Sequence, residues 1–291
     1  AGDWVSIGSD KKTLRLGAKN GDKGDYIRVI TDAQGNVAPV ARNDSGTVNE
    51  NSTLTVDDGD NPSNVSAVVH DTSPKSVSSE DANARGITFN HDGTKMYISA
   101  TTGQEINEYT LTTAFDVSTA SYRDRLAVGH SPMSVKFNDD GTKMFTATNG
   151  GVREYLLNTA YDITTAANGS TPETTYSVSS QDGNPFGLDF NNDGTKMFIT
   201  GNNTDFIYEY SLSVGFDLSS TVTYVRSLDL DDYDDEPFGI EFNTDGTRMF
   251  IVGTRGNGVD EYKLTTGFDI STASHVCFLG VSSQEVNPSG I

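Results

Sequence analysis

The stretch Phe89-Asn-His-Asp-Gly-Thr-Lys-Met-Tyr97 occurs four times in this chain with small changes. The other copies are Phe137-Asn-Asp-Asp-Gly-Thr-Lys-Met-Phe145, Phe190-Asn-Asn-Asp-Gly-Thr-Lys-Met-Phe198 and Phe242-Asn-Thr-Asp-Gly-Thr-Arg-Met-Phe250. An Asp-Gly pair between two alternating apolar runs predicts a tight β-hairpin, because glycine adopts positive φ and aspartate bonds its own backbone. The predicted turn residues are Asp92 and Gly93, Asp140 and Gly141, Asp193 and Gly194, and Asp245 and Gly246.

Each hairpin belongs to a larger unit that repeats about every 50 residues. A third strand carries Glu-Tyr-x-Leu, and a turn of the type Phe115-Asp-Val-Ser-Thr119 leads into a fourth strand. The glutamates of the third strands are Glu108, Glu154, Glu209 and Glu261. Four strands in about 50 residues is the content of one propeller blade. The sequence therefore predicts an all-β fold, a β-propeller of four-stranded blades with a small N-terminal β module.

The predicted organisation has three parts. Residues 1–36 form the N-terminal β module, residues 37–75 a cadherin-like segment and linker, and residues 76–291 the propeller repeats. We place the blades at about 76–125, 126–176, 177–226 and 227–280, with a partial fifth repeat at 281–291.

Two resemblances follow from these motifs. The repeats resemble the YVTN-type blades of lactonase-like β-propellers, which carry the pattern P-x-g-x-x-F-x-x-D-G-t-k-m-y-v. They are most similar to a version with E-Y-x-L-s-t-x-f-D-i-S-T-a that recurs in large proteins of marine bacteria and their phages. Residues 37–56 resemble the start of cadherin-like, VCBS-type repeats of large bacterial surface proteins. This resemblance implies an extracellular adhesion protein.

The number of repeats leaves three alternatives open. The remaining blades lie further along a longer protein, another chain supplies the missing strands, or the four units form an open or minimal ring. We favour the first two, because a half-finished repeat leaves an unpaired strand edge, which proteins usually cover.

Charge and composition exclude some classes of function. The net charge is −21 and the pI is near 4.3, whereas a nucleic-acid binder needs a basic surface. No stretch reaches the roughly 18 apolar residues of a membrane span. The single cysteine excludes an intrachain disulfide. Together with the resemblance, the acidity favours an extracellular or cell-surface location.

Two sets of carboxylates are candidates for binding cations. We expect the repeated glutamates to pair with the basic residues of the hairpins, within or between blades, and a metal-binding ring of these glutamates at the axis is the alternative. The acidic run at 229–236 has six carboxylates in eight residues. We expect a solvated loop there, with calcium as the one candidate cofactor. Its candidate ligands are Asp231, Asp232, Asp234 and Asp235.

No catalytic motif is present in the sequence: there is no G-x-S-x-G, no H-E-x-x-H and no phosphate-binding glycine loop. The sequence therefore predicts a non-catalytic structural or adhesion module of a cell-surface or filament-forming protein. Expected partners are other copies, other surface proteins and, as a further candidate, glycans. The alternatives are a virion fibre, tail or decoration protein and a lactonase-like hydrolase.

Overall fold

The computed structural model describes residues 4–7, 14–17, 74–230, 236–254, 257–285 and 287–291. The chain divides into two compact units, Ala1–Asn61 and Pro62–Ile291. In the first unit, strands β1 (Trp4–Ile7) and β2 (Leu14–Gly17) pair antiparallel. The cadherin-like segment at residues 37–56 lies outside the described residues, and the predicted domain borders stay predictions.

The second unit contains four sheets, each with four antiparallel strands in chain order. Blade 1 consists of β3 (Ala84–Phe89), β4 (Lys95–Ala100), β5 (Glu105–Leu111) and β6 (Ala120–Ala127). Blade 2 consists of β7 (Ser134–Phe137), β8 (Lys143–Thr148), β9 (Gly151–Leu156) and β10 (Thr174–Ser177). Blade 3 consists of β11 (Pro185–Phe190), β12 (Lys196–Gly201), β13 (Phe206–Leu212) and β14 (Val222–Asp229). Blade 4 consists of β15 (Pro237–Phe242), β16 (Arg248–Gly253), β17 (Gly258–Leu264) and β18 (Ala273–Gly280). The all-β propeller prediction is confirmed.

The Asp-Gly motif forms the turn between the first two strands of every blade. In blade 1, Gly93 has φ of +69°, and Asp92 Oδ1 accepts the backbone N–H of Thr94 at 3.0 Å. Asn90 Oδ1 accepts the N–H of Lys95 at 2.8 Å, so the turn is bonded at both ends. These are local bonds, and they fix the register of the hairpin without help from other blades.

An aromatic ring covers the glycine of each turn. Phe115, which begins the turn before the fourth strand, has φ of +59°, and a β-carbon on Gly93 would lie 2.4 Å from its ring. The same arrangement holds for Tyr161 on Gly141, Phe216 on Gly194 and Phe268 on Gly246. Positive φ is costly for a bulky residue, so the packing of the ring on glycine must stabilise it.

The hydrophobic core lies between the blades. Alternation along β4 places Met96 on one face of blade 1 and Tyr97 on the other, and both are buried. Tyr97 packs in one cluster with Met144 and Tyr155 of blade 2. Phe145 and Phe198 make the same contacts with blades 3 and 4. Met144, Met197 and Met249 therefore fill the space between blades, as the sequence predicts, whereas Met96 packs with Tyr109 and Leu111 of its own blade.

The first strand of each blade, hereafter the inner strand, lies next to the inner strand of its neighbour. A β-carbon on Gly187 of β11 would lie 2.8 Å from Phe238 O of β15, and one on Gly86 of β3 would lie 2.7 Å from Ser134 Cα of β7. Such approaches require glycine on at least one strand. The inner strands thereby surround a cavity of only about 10 Å³, which is too small for any ligand larger than one water.

Candidate functional site

The repeated glutamates lie in the interfaces between blades. Each one pairs with the basic residue of its own hairpin: Lys143 Nζ lies 2.7 Å from Glu154 Oε1, and the exposed fraction of the Glu154 side chain is 3%. The other pairs are Lys95–Glu108, Lys196–Glu209 and Arg248–Glu261. The cross-strand register brings them together, because Lys143 opens β8 and Glu154 lies near the end of β9.

The lysines of blades 1 to 3, and the glutamates of blades 1 and 2, also bind the following blade. Leu218 N–H of blade 3 donates to Glu154 Oε2 at 2.8 Å, and Lys143 Nζ donates to Phe216 O at 2.7 Å. Glu108 and Lys95 bind Ile163 N–H and Tyr161 O of blade 2 in the same way. A buried carboxylate and a cation thus bind the two ends of one turn, with charge-assisted hydrogen bonds across the interface.

The sequence leaves open whether these pairs form within a blade or between blades, and the structure has each of them within one blade. The sequence has no signal for the bonds to the next turn, because those bonds join residues 55 to 73 positions apart, such as Glu154 and Leu218. Arg123 adds a second link, because its guanidinium pairs with Glu108 of its own blade and lies 3.3 Å from Asp162 of blade 2. In these contacts the repeated glutamates bind protein groups, which is a different arrangement from the alternative of a metal-binding ring.

The aspartates of the hairpin turns bind their own turns. The threonine two residues further along donates both its N–H and its hydroxyl to each of these carboxylates, as at Asp140 and Thr142. These bonds lower the pKa of Asp92, Asp140 and Asp193. Among the described residues, no three His, Cys, Asp or Glu side chains are grouped as a metal site requires. The calcium candidates Asp231, Asp232, Asp234 and Asp235 lie outside the described residues.

One position of the repeat carries a different type of side chain in each blade. The residue before the phenylalanine that ends each inner strand is Thr88, Lys136, Asp189 or Glu241, whereas the residues of the turn that follows are nearly constant. Sequence reasoning missed this position, although its change of charge within a constant pattern is the signal that could have found it. The inner strands bring three of these side chains together into what we call the axial cluster: Lys136, Asp189 and Glu241.

The axial cluster is an ion-paired group at the centre of the ring. Lys136 Nζ lies 3.4 Å from Asp189 Oδ1 and forms a shorter contact with Glu241 Oε2. Asp189 Oδ2 also accepts the N–H of Phe242 at 2.9 Å, which joins β11 to β15. The exposed fractions of the Lys136 and Asp189 side chains are 11% and 12%, whereas that of Glu241 is 41%. Glu241 is therefore the member of the cluster that solvent reaches.

The protonation of the cluster follows from burial and pairing. The part of Glu241 that packs against the cluster is desolvated, which raises the pKa of this carboxyl from 4.5 to about 7, against the opposing effect of Lys136, and Asp189 adds to the rise. Burial also raises the pKa of Asp189. Burial disfavours the charge of Lys136, but the two carboxylates outweigh it and raise the pKa of Lys136. A carboxyl that titrates near neutral pH beside a fixed cation can accept or donate a proton.

The cluster lines a recess of about 210 Å³. Other polar groups on its wall are His91, Asp139, Asn138, Asn191 and Asn192, and aromatic rings of the hairpin ends complete it. The recess lies beside the Asp-Gly turns, because its lining comes from the ends of the inner strands. Its size suits a small polar molecule, and its chemistry is that of hydrogen-bond donors, acceptors and one proton-exchanging carboxyl.

No protein-family model matches this chain, and no curated protein sequence matches it. Among solved structures, it is similar to a functionally unknown protein from Desulfotomaculum acetoxidans, with 12% identity, a TM-score of 0.43 and coverage of 68% of this chain and 70% of that one. It is also similar to a putative 6-phosphogluconolactonase from Bacteroides uniformis, with 12% identity, a TM-score of 0.44 and coverage of 66% and 55%. A periplasmic gluconolactonase from Pseudomonas aeruginosa gives 11% identity, a TM-score of 0.42 and coverage of 71% and 55%. The chain thus spans just over half of the length of these two lactonases.

Proposed function

We propose that this chain is a non-catalytic structural or adhesion module of an extracellular or cell-surface protein. The observation that supports the proposal is the repeated link between blades. In blades 1 to 3, the recurring charged residues bind the neighbouring blade or groups of their own blade, as Glu154 and Lys143 do. A sequence in which the recurring charges serve assembly is typical of a scaffold.

The centre of the ring supports the same proposal. The inner strands pack at backbone contact, and the cavity among them is about 10 Å³. A tightly filled axis resists deformation, because packed interiors have low compressibility. Such resistance suits a module that carries load between a cell and its surroundings.

The proposed location rests on charge. A chain with a net charge of −21 stays soluble outside the cell and is repelled by other anionic polymers. Within the described residues, no helix is long and apolar enough to cross a bilayer.

The test is a comparison of cells of the producing organism with and without this protein. We expect a label that cannot enter cells to modify the protein, and we expect deletion to reduce attachment of the cells to surfaces or to one another. Wild-type protein and Glu241→Gln should both restore attachment. The proposal is wrong if the label reaches the protein only after lysis, or if Glu241→Gln fails to restore attachment although it folds.

A second candidate function, a lactonase-like hydrolase, is favoured by the axial cluster. Glu241 has a pKa of about 7, is exposed to the 210 Å³ recess and lies beside Lys136. Those are properties of a general acid–base group. If this function holds, the purified chain should hydrolyse sugar lactones, and Glu241→Gln should abolish the activity. The matched control is Glu173→Gln, at an exposed glutamate of blade 2. Equal rates for both variants and the wild type would exclude this site.

A further inference from the structure

Five segments of the chain surround the axis, although the ring has four complete blades. The fifth segment consists of Ser289, Gly290 and Ile291, which line the axial cavity together with the four inner strands. A β-carbon on Gly290 would lie 2.3 Å from Arg85 O of blade 1, and one on Gly239 of blade 4 would lie 3.0 Å from Ile291 Cγ2. Gly290 and Ile291 therefore lie between the inner strands of blades 4 and 1, where an inner strand of a fifth blade belongs.

Each interface between successive blades contains three aromatic rings. One comes from the second strand of the first blade, and the other two come from the next blade. At the interface of blades 2 and 3, Phe145 lies 4.8 Å from Phe190, which lies 5.2 Å from Phe216, between ring centres. The corresponding triads are Tyr97, Phe137 and Tyr161, and Phe198, Phe242 and Phe268.

The space between blades 4 and 1 holds two incomplete triads. Phe250 of blade 4 is in the position of Phe145 and Phe198, yet it is only half-buried, whereas they are fully buried. On the other side, Phe89 pairs with Phe115, whose exposed fraction is 59%. We call this space the fifth sector, bounded by Phe250 and Val259 of blade 4 and by Phe115 and Val117 of blade 1.

The aliphatic residues of the fifth sector are also less buried than their counterparts at the other interfaces. Val259 is half-buried, whereas Ile106, Val152 and Ile207 at its position are fully buried by the next blade. Val117 is half-buried, whereas its counterparts are covered by the preceding blade. Those counterparts are Ile163, Leu218 and Ile270, with exposed fractions of 0%, 3% and 0%. In the part of the chain that the structure describes, no four-stranded sheet lies between blades 4 and 1.

The polar groups at the edges of the fifth sector indicate which kind of segment can bind in it. At the two interfaces described above, a glutamate accepts an N–H and a lysine donates to a carbonyl of the next turn. In the fifth sector, blade 4 presents Arg248 beside Glu261, and blade 1 presents the turn that begins at Phe115. A complementary segment has a turn of the aromatic-Asp-x-Ser type for blade 4, and a lysine–glutamate pair for blade 1.

We propose that the fifth sector is a docking surface for a β-segment of this repeat's own type. The segment carries the Asp-Gly-Thr-Lys-Met-Phe hairpin, the Glu-Tyr-x-Leu strand and the aromatic-Asp turn. It pairs with residues 289–291 as its inner strand and completes both aromatic triads. The surface is continuous with the interfaces inside the ring and has the same chemistry. The inference holds for a scaffold and for an enzyme, so it does not rest on the proposed function.

The probe is a fluorescent peptide with the sequence of residues 190–220, which contains Lys196, Phe198, Glu209 and Phe216. We expect saturable binding of one peptide to one full-length chain. Phe250→Ser and Phe115→Ser should each weaken it about tenfold or more, because each removes one ring of a triad. Val214→Ser is the matched control, since Val214 is an exposed apolar residue of blade 3 and lies outside the fifth sector. It should leave the affinity unchanged.

A second measurement does not require the peptide to fold in isolation. The sequence of residues 189–230 is joined directly after Ile291, because Gly290 and Ile291 match Gly187 and Leu188 of blade 3. We expect the extended chain to melt at a higher temperature, and Phe250→Ser to lower that midpoint. Failure of both measurements, or binding that neither Phe250→Ser nor Phe115→Ser weakens, would overturn the proposal. So would a dimer of the unextended chain that dissociates in Phe250→Ser, because a face of a second folded copy, and not a separate β-segment, would then occupy the surface.

Discussion

Glu154 of blade 2 accepts the backbone N–H of Leu218 of blade 3 at 2.8 Å, in an interface where Glu154 is 3% and Leu218 is 3% exposed. The bond joins a carboxylate to the turn of the next blade, while Lys143 neutralises the charge of the same carboxylate. The packing of blade 3 on blade 2 thus depends on this ion pair, whose two side chains bind a backbone turn of blade 3.

Removal of this carboxylate should destabilise the ring. We expect Glu154→Ala to lower the free energy of unfolding by about 3 kcal/mol, because it leaves Lys143 without its carboxylate partner in the interface. Glu154→Gln should cost less, since an amide oxygen still accepts the Leu218 N–H. The measurement is urea denaturation. Glu173→Gln, at an exposed site, should change little, and equal losses at Glu154 and Glu173 would contradict the assignment.

The aromatic triads predict unequal effects of the same substitution. Phe198→Ala should lower stability by about 3–5 kcal/mol, because Phe198 is fully buried between blades 3 and 4. Phe250→Ala at the corresponding position of blade 4 should cost less than half as much, since Phe250 is half-buried. Denaturation midpoints of the two variants, measured side by side, test this. Similar losses would mean that Phe250 is covered in solution.

The close approach of the inner strands should make the protein sensitive to substitution of Gly187. We expect Gly187→Ala to cost about 1–3 kcal/mol, because its β-carbon would lie 2.8 Å from Phe238 O and from Thr200 Oγ1. Gly183→Ala is the matched control, since the nearest atom to its β-carbon is Asn203 Nδ2 at 3.6 Å. The readout is the thermal midpoint. A neutral Gly187→Ala would show that β11 and β15 lie further apart.

The axial cluster predicts a pH dependence of stability. The pKa of Glu241 rises from 4.5 to about 7 on folding, so the folded chain binds more protons than the unfolded chain between these values. The contribution of Glu241 is therefore fully present below about pH 4.5 and is lost as the pH rises through about 7. Glu241→Gln should remove this dependence.

The measurement is the difference in urea midpoint between wild type and Glu241→Gln at several pH values from 5 to 8. Lys136, Asp189, His91 and Asp139 also line the recess and are present in both proteins, so the difference reports on Glu241 together with its effect on Lys136 and Asp189. We expect the wild type to lose stability relative to the variant as the pH rises. A constant difference would show that Glu241 titrates at its ordinary pKa.

The sequence alone determined the blade. Asp92 and Gly93 specify a hairpin whose bonds are all local, and alternation assigns Met96 and Tyr97 to opposite faces. The register then makes Lys95 and Glu108 diagonal neighbours on one face of the blade. Each of these follows from contacts within one repeat, where turn chemistry and the two-residue period of a strand suffice.

Only the tertiary structure decided which contacts the repeats make with one another. The bond from Glu154 to Leu218, the axial cluster and the fifth sector all join residues of different blades. Lys136, Asp189 and Glu241 are each about 50 residues from the next, and their meeting depends on the angle at which the blades pack. That angle follows from the volumes of side chains between sheets, such as Phe145 and Phe190, and no local pattern encodes it.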